Sequence, residues 1–367
     1  MKTSFVTLLA LLFAFTCYSQ KNIDTIYGNP RYVKEKVEFL KKNKQNYTFM
    51  EGDGDYGHAT ILTPENLKDK FHAFWFKYPD VAYINYEKEF LKNGKPKNET
   101  WRDKDEDFVM KYEYSYNKEG NLSEKKETFF DYEHNLVKYT YDYNGKLRSS
   151  ISTYSDETDL FYYLLFKYDS IGNLIKTSRY DAFGYVNSDY KNYNKQNKLI
   201  REFQHIPRKW RENKNGSRLF ARDSTGTWRN IKKLKYDVND NLIYEERYND
   251  RDIIRSKTIY KYDNDNIIER TIYNTPSDTS YHYKAIFKYN KLDLKIKEES
   301  IFSGRKEKTV TRIYDDNYIV HITIEEIGKT YNIDYKYDLD KKGNWIKIIK
   351  IVNDEPLYVW SRKIKYY

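Results

Sequence analysis

The sequence predicts a mainly all-β protein, an array of antiparallel β-hairpin repeats of about 25–27 residues each, forming a curved or spiralling sheet with a short N-terminal helix. Three observations predict it. A turn motif opening on tyrosine recurs down the chain, the flanking strands alternate apolar and polar residues with period two, and 18% of residues are aromatic, 40 of them tyrosine. Tyrosine suits a strand with one covered face, because its ring buries apolar area while the hydroxyl still finds a polar partner.

The turns read YNKEGNL from Tyr116, YDYNGKL from Tyr141, YDSIGNL from Tyr168, YNKQNKL from Tyr193, YDVNDNL from Tyr236, YDNDNII from Tyr262 and YNKLDLK from Tyr289. A longer form, YDLDKKGNW, begins at Tyr337, and Tyr314 keeps the spacing in a degenerate turn. The second position is always Asp or Asn, which can accept backbone N–H bonds at the corner of a type I turn; Asp169 is the example. The fifth position is Gly120, Gly145, Gly172, Asn197, Asp240, Asn266 or Asp293. Gly, Asn and Asp enter the left-handed region most readily, and a type I turn followed by such a residue makes a G1-bulge hairpin. Before the turn, Tyr112, Tyr114 and Tyr116 alternate with Lys111, Glu113 and Ser115. Each unit therefore supplies two strands with an aromatic stripe that one unit cannot bury alone.

On these turns, from about residue 110 to 367, the chain resembles the YD or RHS repeat family. The resemblance implies spiralling β-hairpin sheets, which in toxin complexes and teneurin-type surface proteins form large hollow shells. The chain departs from the long-shell pattern: Asn or Lys follows the glycine where those repeats often carry Arg, there is no Asp-Pro core-closing segment, and the hairpins are few.

The domain organisation expected is a signal peptide over 1–19, a strand-plus-helix cap over 20–82, and the repeat region over 83–367 with a basic insertion at 205–233. MKTSFVTLLALLFAFTCYS has one basic residue, an apolar run and small residues before Gln20, the features of an export signal. The expected location is the periplasm or the cell exterior. Cys17 is the one cysteine, so a chain cleaved before Gln20 has no disulfide; membrane attachment is expected only if Cys17 is lipidated. YVKEKVEFL, 32–40, reads as a strand. TPENLKDKFHAFWFKYP, 63–79, reads as a helix, with Thr63 as N-cap, Pro64 at its first position and Leu67, Phe71 and Phe74 on one face, capping an edge of the sheet.

The net charge of +10 favours anionic partners, although lysines that simply keep strands soluble give the plainer account. The candidate ligand-binding residues lie in and beside the insertion: Arg208, Trp210, Arg211, Arg218, Phe220, Trp228 and Arg229. Its basic residues far outnumber its two acids, Glu212 and Asp223, and rings between guanidinium groups can stack on sugars while the cations take carboxylate, sulfate or phosphate. The competing account is an extra hairpin, since DSTGTW, 223–228, fits the turn register with Arg222 in the tyrosine slot. A second candidate is a ladder of Lys167, Lys235, Lys261, Lys288 and Lys336, each immediately before a repeat tyrosine and so on the opposite face. Glu202, Glu246, Glu269 and Glu299 on the return strands are expected to pair with it. Asp53 and Asp55 in EGDGDYGH, 51–58, are calcium candidates, but the loop lacks the distal acidic ligand and an ordinary turn is the preferred account. Gly120, Gly145, Gly172 and Asp169 are assigned to turn geometry.

No zinc spacing joins the six histidines, and there is no nucleophile elbow, P-loop or dinucleotide fingerprint. No cofactor is expected. The sequence therefore points to a non-enzymatic exported envelope protein binding an anionic glycan or a protein through an aromatic and basic sheet surface; nucleic acid is not expected as a partner. An accessory or remnant of a toxin-delivery system is the alternative, and a carbohydrate-active enzyme ranks below both.

Overall fold

The structure is a computed structural model that describes residues 26–40, 71–72, 85–102, 106–129, 133–154, 160–182, 184–207, 210–212, 218–220, 226–274 and 280–367. The strands are β1 (Pro30–Phe39), β2 (Asn85–Phe90), β3 (Pro96–Arg102), β4 (Phe108–Tyr116), β5 (Leu122–Phe129), β6 (Glu133–Tyr141), β7 (Leu147–Tyr154) and β8 (Leu160–Tyr168). They continue as β9 (Leu174–Asp181), β10 (Gly184–Tyr193), β11 (Leu199–Ile206), β12 (Trp210–Glu212), β13 (Arg218–Phe220), β14 (Thr227–Tyr236), β15 (Leu242–Tyr248) and β16 (Ile254–Asp263). The last are β17 (Asn266–Tyr273), β18 (Tyr283–Tyr289), β19 (Lys295–Phe302), β20 (Arg305–Asp315), β21 (Tyr318–Glu326), β22 (Lys329–Leu339), β23 (Trp345–Val352) and β24 (Glu355–Tyr366).

The repeat turns follow the physics read from the sequence. Asp169 is representative: its Oδ1 accepts from the backbone N–H of Ile171 at 3.1 Å, Gly172 at 2.7 Å and Asn173 at 2.8 Å. Gly172 takes the left-handed corner at φ 102°, and Asn197, Asp240 and Asp293 do the same at 62°, 66° and 57°. The pairing register shifts between the repeat tyrosine and the residue before it, as at Lys167/Tyr168 and Lys235/Tyr236, except in the longer turn, where the shift falls between Asp338 and Leu339. One turn departs from expectation. In YDNDNII the left-handed residue is Asn264 rather than Asn266, because Asp263 and Asn266 are ladder partners and only two residues remain for the corner.

Eight repeat tyrosines, all but Tyr168, also tie their hairpin to the one before it. The hydroxyls of Tyr116, Tyr141, Tyr193 and Tyr236 donate to the carbonyls of Pro96, Leu122, Leu174 and Leu199 at 2.8, 2.8, 3.0 and 3.0 Å. Tyr262, Tyr289, Tyr314 and Tyr337 donate likewise to Leu242, Ile267, Lys295 and Ile319. The tyrosine stripe thus bridges neighbouring hairpins by hydrogen bond as well as by contact.

The expected curved or spiralling sheet is corrected by the pairing of β1. Apart from β12 and β13, which form a sheet of their own, successive strands are antiparallel neighbours, and β1 pairs with β2 on one edge and with β24 on the other, so 22 strands close into a barrel. A strand with two unsatisfied edges gains ladder bonds on both sides, and closure leaves the large sheet no open edge. The strand expected over 32–40 is this closing strand. The N-terminal helix is not supported. Of 63–79 only Phe71 and His72 are described, no helix of one full turn occurs among the described residues, and a closed barrel presents no edge to cap. The expected signal peptide and the calcium candidates Asp53 and Asp55 lie outside the described residues.

The tyrosine face turns inward. At the closure it forms a core with Val37, Phe71, Tyr86, Trp101, Ile322, Ile333, Trp345 and Trp360. The Phe71 ring lies 5.4 Å from Trp360 and 5.9 Å from Tyr335, and Trp345 meets Trp360 edge to face at 4.7 Å. The seam carries a buried ion pair: Arg362 Nε donates to Glu35 at 2.8 Å with both side chains 2–3% exposed, and Trp360 Nε1 donates to the other carboxylate oxygen at 3.0 Å. The Arg362 guanidinium stacks 3.6 Å above the Trp345 ring. Lys350 is buried beside Phe71 and, with Tyr335, donates to the Phe71 carbonyl, at 2.5 and 2.9 Å. Desolvation pushes the Lys350 ammonium down to about 7.

Two tests follow from this packing. Gly172→Val should destabilise by roughly 1–2 kcal/mol, because a β-branched residue is strained in the left-handed region, whereas Ile171→Ser, at an exposed corner, should be near neutral. Urea midpoints that fall equally for both would contradict the turn assignment. Between pH 7 and 9 an unfolded Lys350 keeps its proton while the folded one loses it, so stability should rise with pH, by at most about 1.4 kcal/mol per pH unit. Lys350→Met should flatten that rise, and an unchanged slope would show that Lys350 is not its source.

Candidate functional site

The basic insertion begins after β11 and ends at β14, which pair with each other across it. It does contain an extra hairpin, β12 with β13, in which Trp210 is the ladder partner of Phe220 and Glu212 of Arg218. The hairpin is a separate two-stranded sheet; Asp223, Ser224 and Thr225 of the DSTGTW stretch lie outside the described residues, and Thr227 pairs with Ile206 in the barrel. Arg208 lies outside the described residues. Arg211 sits between Trp210 and Glu212 in β12, opposite Leu219.

The structure brings Trp228 into a site that the sequence did not delimit. Trp228 is the ladder partner of His205, and the rings of His205, Tyr190 and Phe203 lie 4.8, 5.0 and 5.5 Å from it. Tyr190 and Phe203 are themselves stacked at 5.3 Å, and Trp228 remains 51% exposed. The row extends through Tyr185, 6.1 Å from His205, to Tyr180 at 5.6 Å. All lie on the outer face, opposite the repeat tyrosines: the ladder aligns Trp228 with His205 and Phe203 with Tyr190, and register shifts at Val186 and Ile231 bring Tyr185 and Trp228 onto the face that plain alternation would deny them. Cations flank the rings: Lys176 Nζ is 5.0 Å from the Tyr190 centroid, and the Arg201 guanidinium is 4.7 Å from that of Phe203. Arg201 is aimed by its Nε bond to Asn230 Oδ1 at 2.8 Å.

Beneath the rings, small polar residues form a supporting layer. Ser188 is fully buried, bonds Ser178 at 2.8 Å and accepts from the Tyr185 hydroxyl at 2.9 Å. The same hydroxyl is 3.1 Å from His205 Nδ1. Desolvation raises the Tyr185 phenol above its ordinary value, so it stays a neutral donor at physiological pH. Arg229 is next to Trp228 in the chain yet, as the ladder partner of Gln204, lies on the opposite face, and its guanidinium reaches the exposed turn residue Asp250 at 3.6 Å. One-residue alternation therefore separates two candidates that looked contiguous. Tyr190, His205 and Arg201 were not singled out; the outward i, i+2 spacing of Arg201, Phe203 and His205 was the available signal.

The five ladder lysines are all exposed on the outer face, as the register requires. Their surroundings differ. Lys261 pairs with Glu269 at 3.0 Å, Lys235 lies 5.0 Å from the Tyr244 centroid, and Lys167 and Lys288 stand opposite Lys176 and Lys297. Lys336 is opposite Ile349. Of the expected acidic partners, Glu246 accepts instead from Tyr244 and Tyr248, Glu299 pairs with Lys297 and Lys306, and Glu202 turns inward to Lys191 and Lys232.

One further constellation has a chemical look. His321 Nδ1 is 2.7 Å from Asp334 and its Nε2 is 3.0 Å from Thr323 Oγ1, the order of a carboxylate, base and hydroxyl relay. These are mid-strand ladder partners of β21 and β22, and backbone N–H groups there serve the sheet rather than an oxyanion. Among the described residues no group of three or more His, Cys, Asp or Glu could hold a metal ion, and no helix is long and apolar enough to cross a membrane. Tyr185→Phe should cost about 1 kcal/mol in urea unfolding by removing a buried donor; no loss would mean that the serine layer does not support the rings.

No family model matches the chain, and no curated protein sequence matches it. Among solved structures it is similar to the Photorhabdus luminescens Tc holotoxin pore, at 15% identity and a TM-score of 0.42 over 75% of this chain and 15% of that one. It is similar also to a TcdB2–TccC3 complex, at 12% identity and a TM-score of 0.32 over 75% of this chain and 20% of that one. A porin-like protein from Bacteroides uniformis aligns at 12% identity and a TM-score of 0.27, over 65% of this chain and 92% of that one. The chain spans only 15% and 20% of the two toxin chains, and at these TM-scores no property of any of these proteins is carried over to it.

Proposed function

We propose that this chain is an exported, non-enzymatic envelope protein that binds an acidic glycan on the outer aromatic platform around Trp228. The observation that carries the proposal is the clustering of Tyr190, Phe203, His205 and Trp228 within ring contact, with Trp228 half exposed and Lys176 and Arg201 at the margin. Monomeric soluble proteins seldom leave large rings together at a surface without use for them. Flat rings take the apolar face of a sugar, and flanking cations take a carboxylate or sulfate that the sugar carries. Trp210, Arg211, Arg218 and Phe220 belong to the hairpin of the same insertion and are further candidates to contact the glycan. The toxin-delivery alternative draws on the hairpin architecture alone.

The test is titration calorimetry with uronic-acid and sulfated oligosaccharides. Binding should weaken steeply from 50 to 500 mM salt, the range over which the Debye length falls to a few ångströms (about 3 Å at 1 M). Trp228→Ala should weaken it about tenfold or more, ~1.4 kcal/mol, as should combined Arg208→Ala, Trp210→Ala and Arg211→Ala. Absence of binding to every acidic glycan, or equal binding by Trp228→Ala, would sink the proposal. Co-purification with a secreted toxin partner in that event would favour the alternative.

A further inference from the structure

The inner face of β14 to β17 carries a recess of about 670 Å³, whose walls include Lys232, Glu245, Arg247, Arg255, Tyr260 and Arg270. Short side chains create the space: Ser256 and Thr258 line it, and the ladder partner of Arg270 is the fully buried Ala285. Four cations face a single carboxylate. Two of them are already committed, Lys232 to Glu202 outside the recess at 2.9 Å and Arg247 Nε to Glu245 at 2.5 Å. The other Glu245 oxygen accepts from the Tyr260 hydroxyl at 3.1 Å, so this carboxylate has little capacity left. Arg255 and Arg270 have no ion-pair partner among the described residues, and Arg270 Nε is buried without a hydrogen-bond acceptor.

That arrangement is costly as it stands. A buried donor left unpaired forfeits roughly 1–3 kcal/mol, more when charged, and Lys232 and Arg247 are directly opposite each other in the ladder, which adds repulsion. The Arg270 guanidinium lies 5.5 Å from the Tyr283 ring centroid, a contact that holds its plane. Tyr260, whose phenol is pushed up to about 12 by burial and by Glu245, remains a neutral hydroxyl beside them.

We propose that this recess is a binding site for a phosphate or sulfate group, held principally by Arg255 and Arg270. A doubly charged tetrahedral oxyanion neutralises the two uncommitted guanidinium groups together and offers acceptors to their planar N–H forks; the hydroxyls of Ser256 and Thr258 lie in the same recess. A monovalent carboxylate balances only one of the two. The recess is on the opposite face from the Trp228 platform, so the two sites stand or fall separately.

The experiment is titration of the purified chain, at constant ionic strength, with sodium sulfate, sodium phosphate, glucose 6-phosphate and, for comparison, sodium acetate. Sulfate or phosphate should give a saturable isotherm, with acetate weaker by about tenfold or more. Arg270→Gln and, separately, Arg255→Gln should each reduce oxyanion affinity by about tenfold or more, while Trp228→Ala leaves it unchanged. Tighter binding of glucose 6-phosphate than of inorganic phosphate would support the site and identify a sugar monoester as its occupant, and equal binding would support it with the free ion as occupant. If Arg270→Gln does not fold, Arg255→Gln decides, because that side chain is exposed. No saturable binding of any oxyanion, or binding unaffected by the arginine substitutions, overturns the proposal.

Discussion

The hydrogen bond that eight of the nine repeat tyrosines, all but Tyr168, send to a carbonyl at the bulge of the preceding hairpin is the contact on which the rest depends. Eight such bonds are present, from Tyr116 to Pro96 through to Tyr337 to Ile319. Each contributes roughly 0.5–1.5 kcal/mol net, so together they are comparable with the whole net stability of an ordinary domain, about 5–15 kcal/mol. They also fix register, since a one-residue slip would turn the hydroxyl away from the carbonyl and its ring to the other face. Desolvation raises the phenols of Tyr116, Tyr141, Tyr193 and Tyr236, which keeps them donors into the mildly alkaline range.

Most of the repeat was legible because its causes are local. An Asp at the corner, a Gly, Asn or Asp three residues on and alternation in the arms are properties of a dozen neighbouring residues, and Asp169 and Gly172 behave as those properties require. Where two turn solutions compete within one motif, the repeat pattern puts the left-handed corner at Asn266, whereas the two-residue turn that forms puts it at Asn264. Closure was illegible for the opposite reason. Nothing in YVKEKVEFL announces that Glu35 will meet Arg362, 327 positions away, and inward Trp360 looks no different from an exposed ring until that strand arrives. The platform was half legible: Trp228 stood out by type, while Tyr190, Phe203 and His205 were hidden among forty tyrosines and a regular aromatic stripe whose inward face dominates the pattern.

The two faces divide the work of the sheet. Inside, bulky rings and aliphatic side chains collect near the closure, and the cationic recess opens where the side chains shorten to Ser256, Thr258 and Ala285. Outside, charges of both signs interleave across strands, as in Lys261 and Lys284 around Glu269 and Lys297 and Lys306 around Glu299. Exposed pairs of this kind add little stability individually. Their presence in mid-strand interrupts the apolar surface of the outer face among the described residues. Against this charged background the rings around Trp228 form a cluster in mutual contact, whereas Tyr244 stands beside Lys235 and Glu246.

Because β1 joins β2 to β24, the first strand made is the last to be fully paired. A chain emerging from its N-terminus carries β1 with one ladder edge open until β24 appears, and the buried Glu35 carboxylate waits for both Trp360 and Arg362. The entropy of bringing such distant segments together grows only logarithmically with separation, about 0.6 kcal/mol per doubling, so the delay is one of sequence order rather than of thermodynamic cost. The hairpins can form one by one from local contacts, but the cylinder is complete only when its far end has arrived, which makes the β1–β24 seam the step that distinguishes a finished molecule from a truncated one.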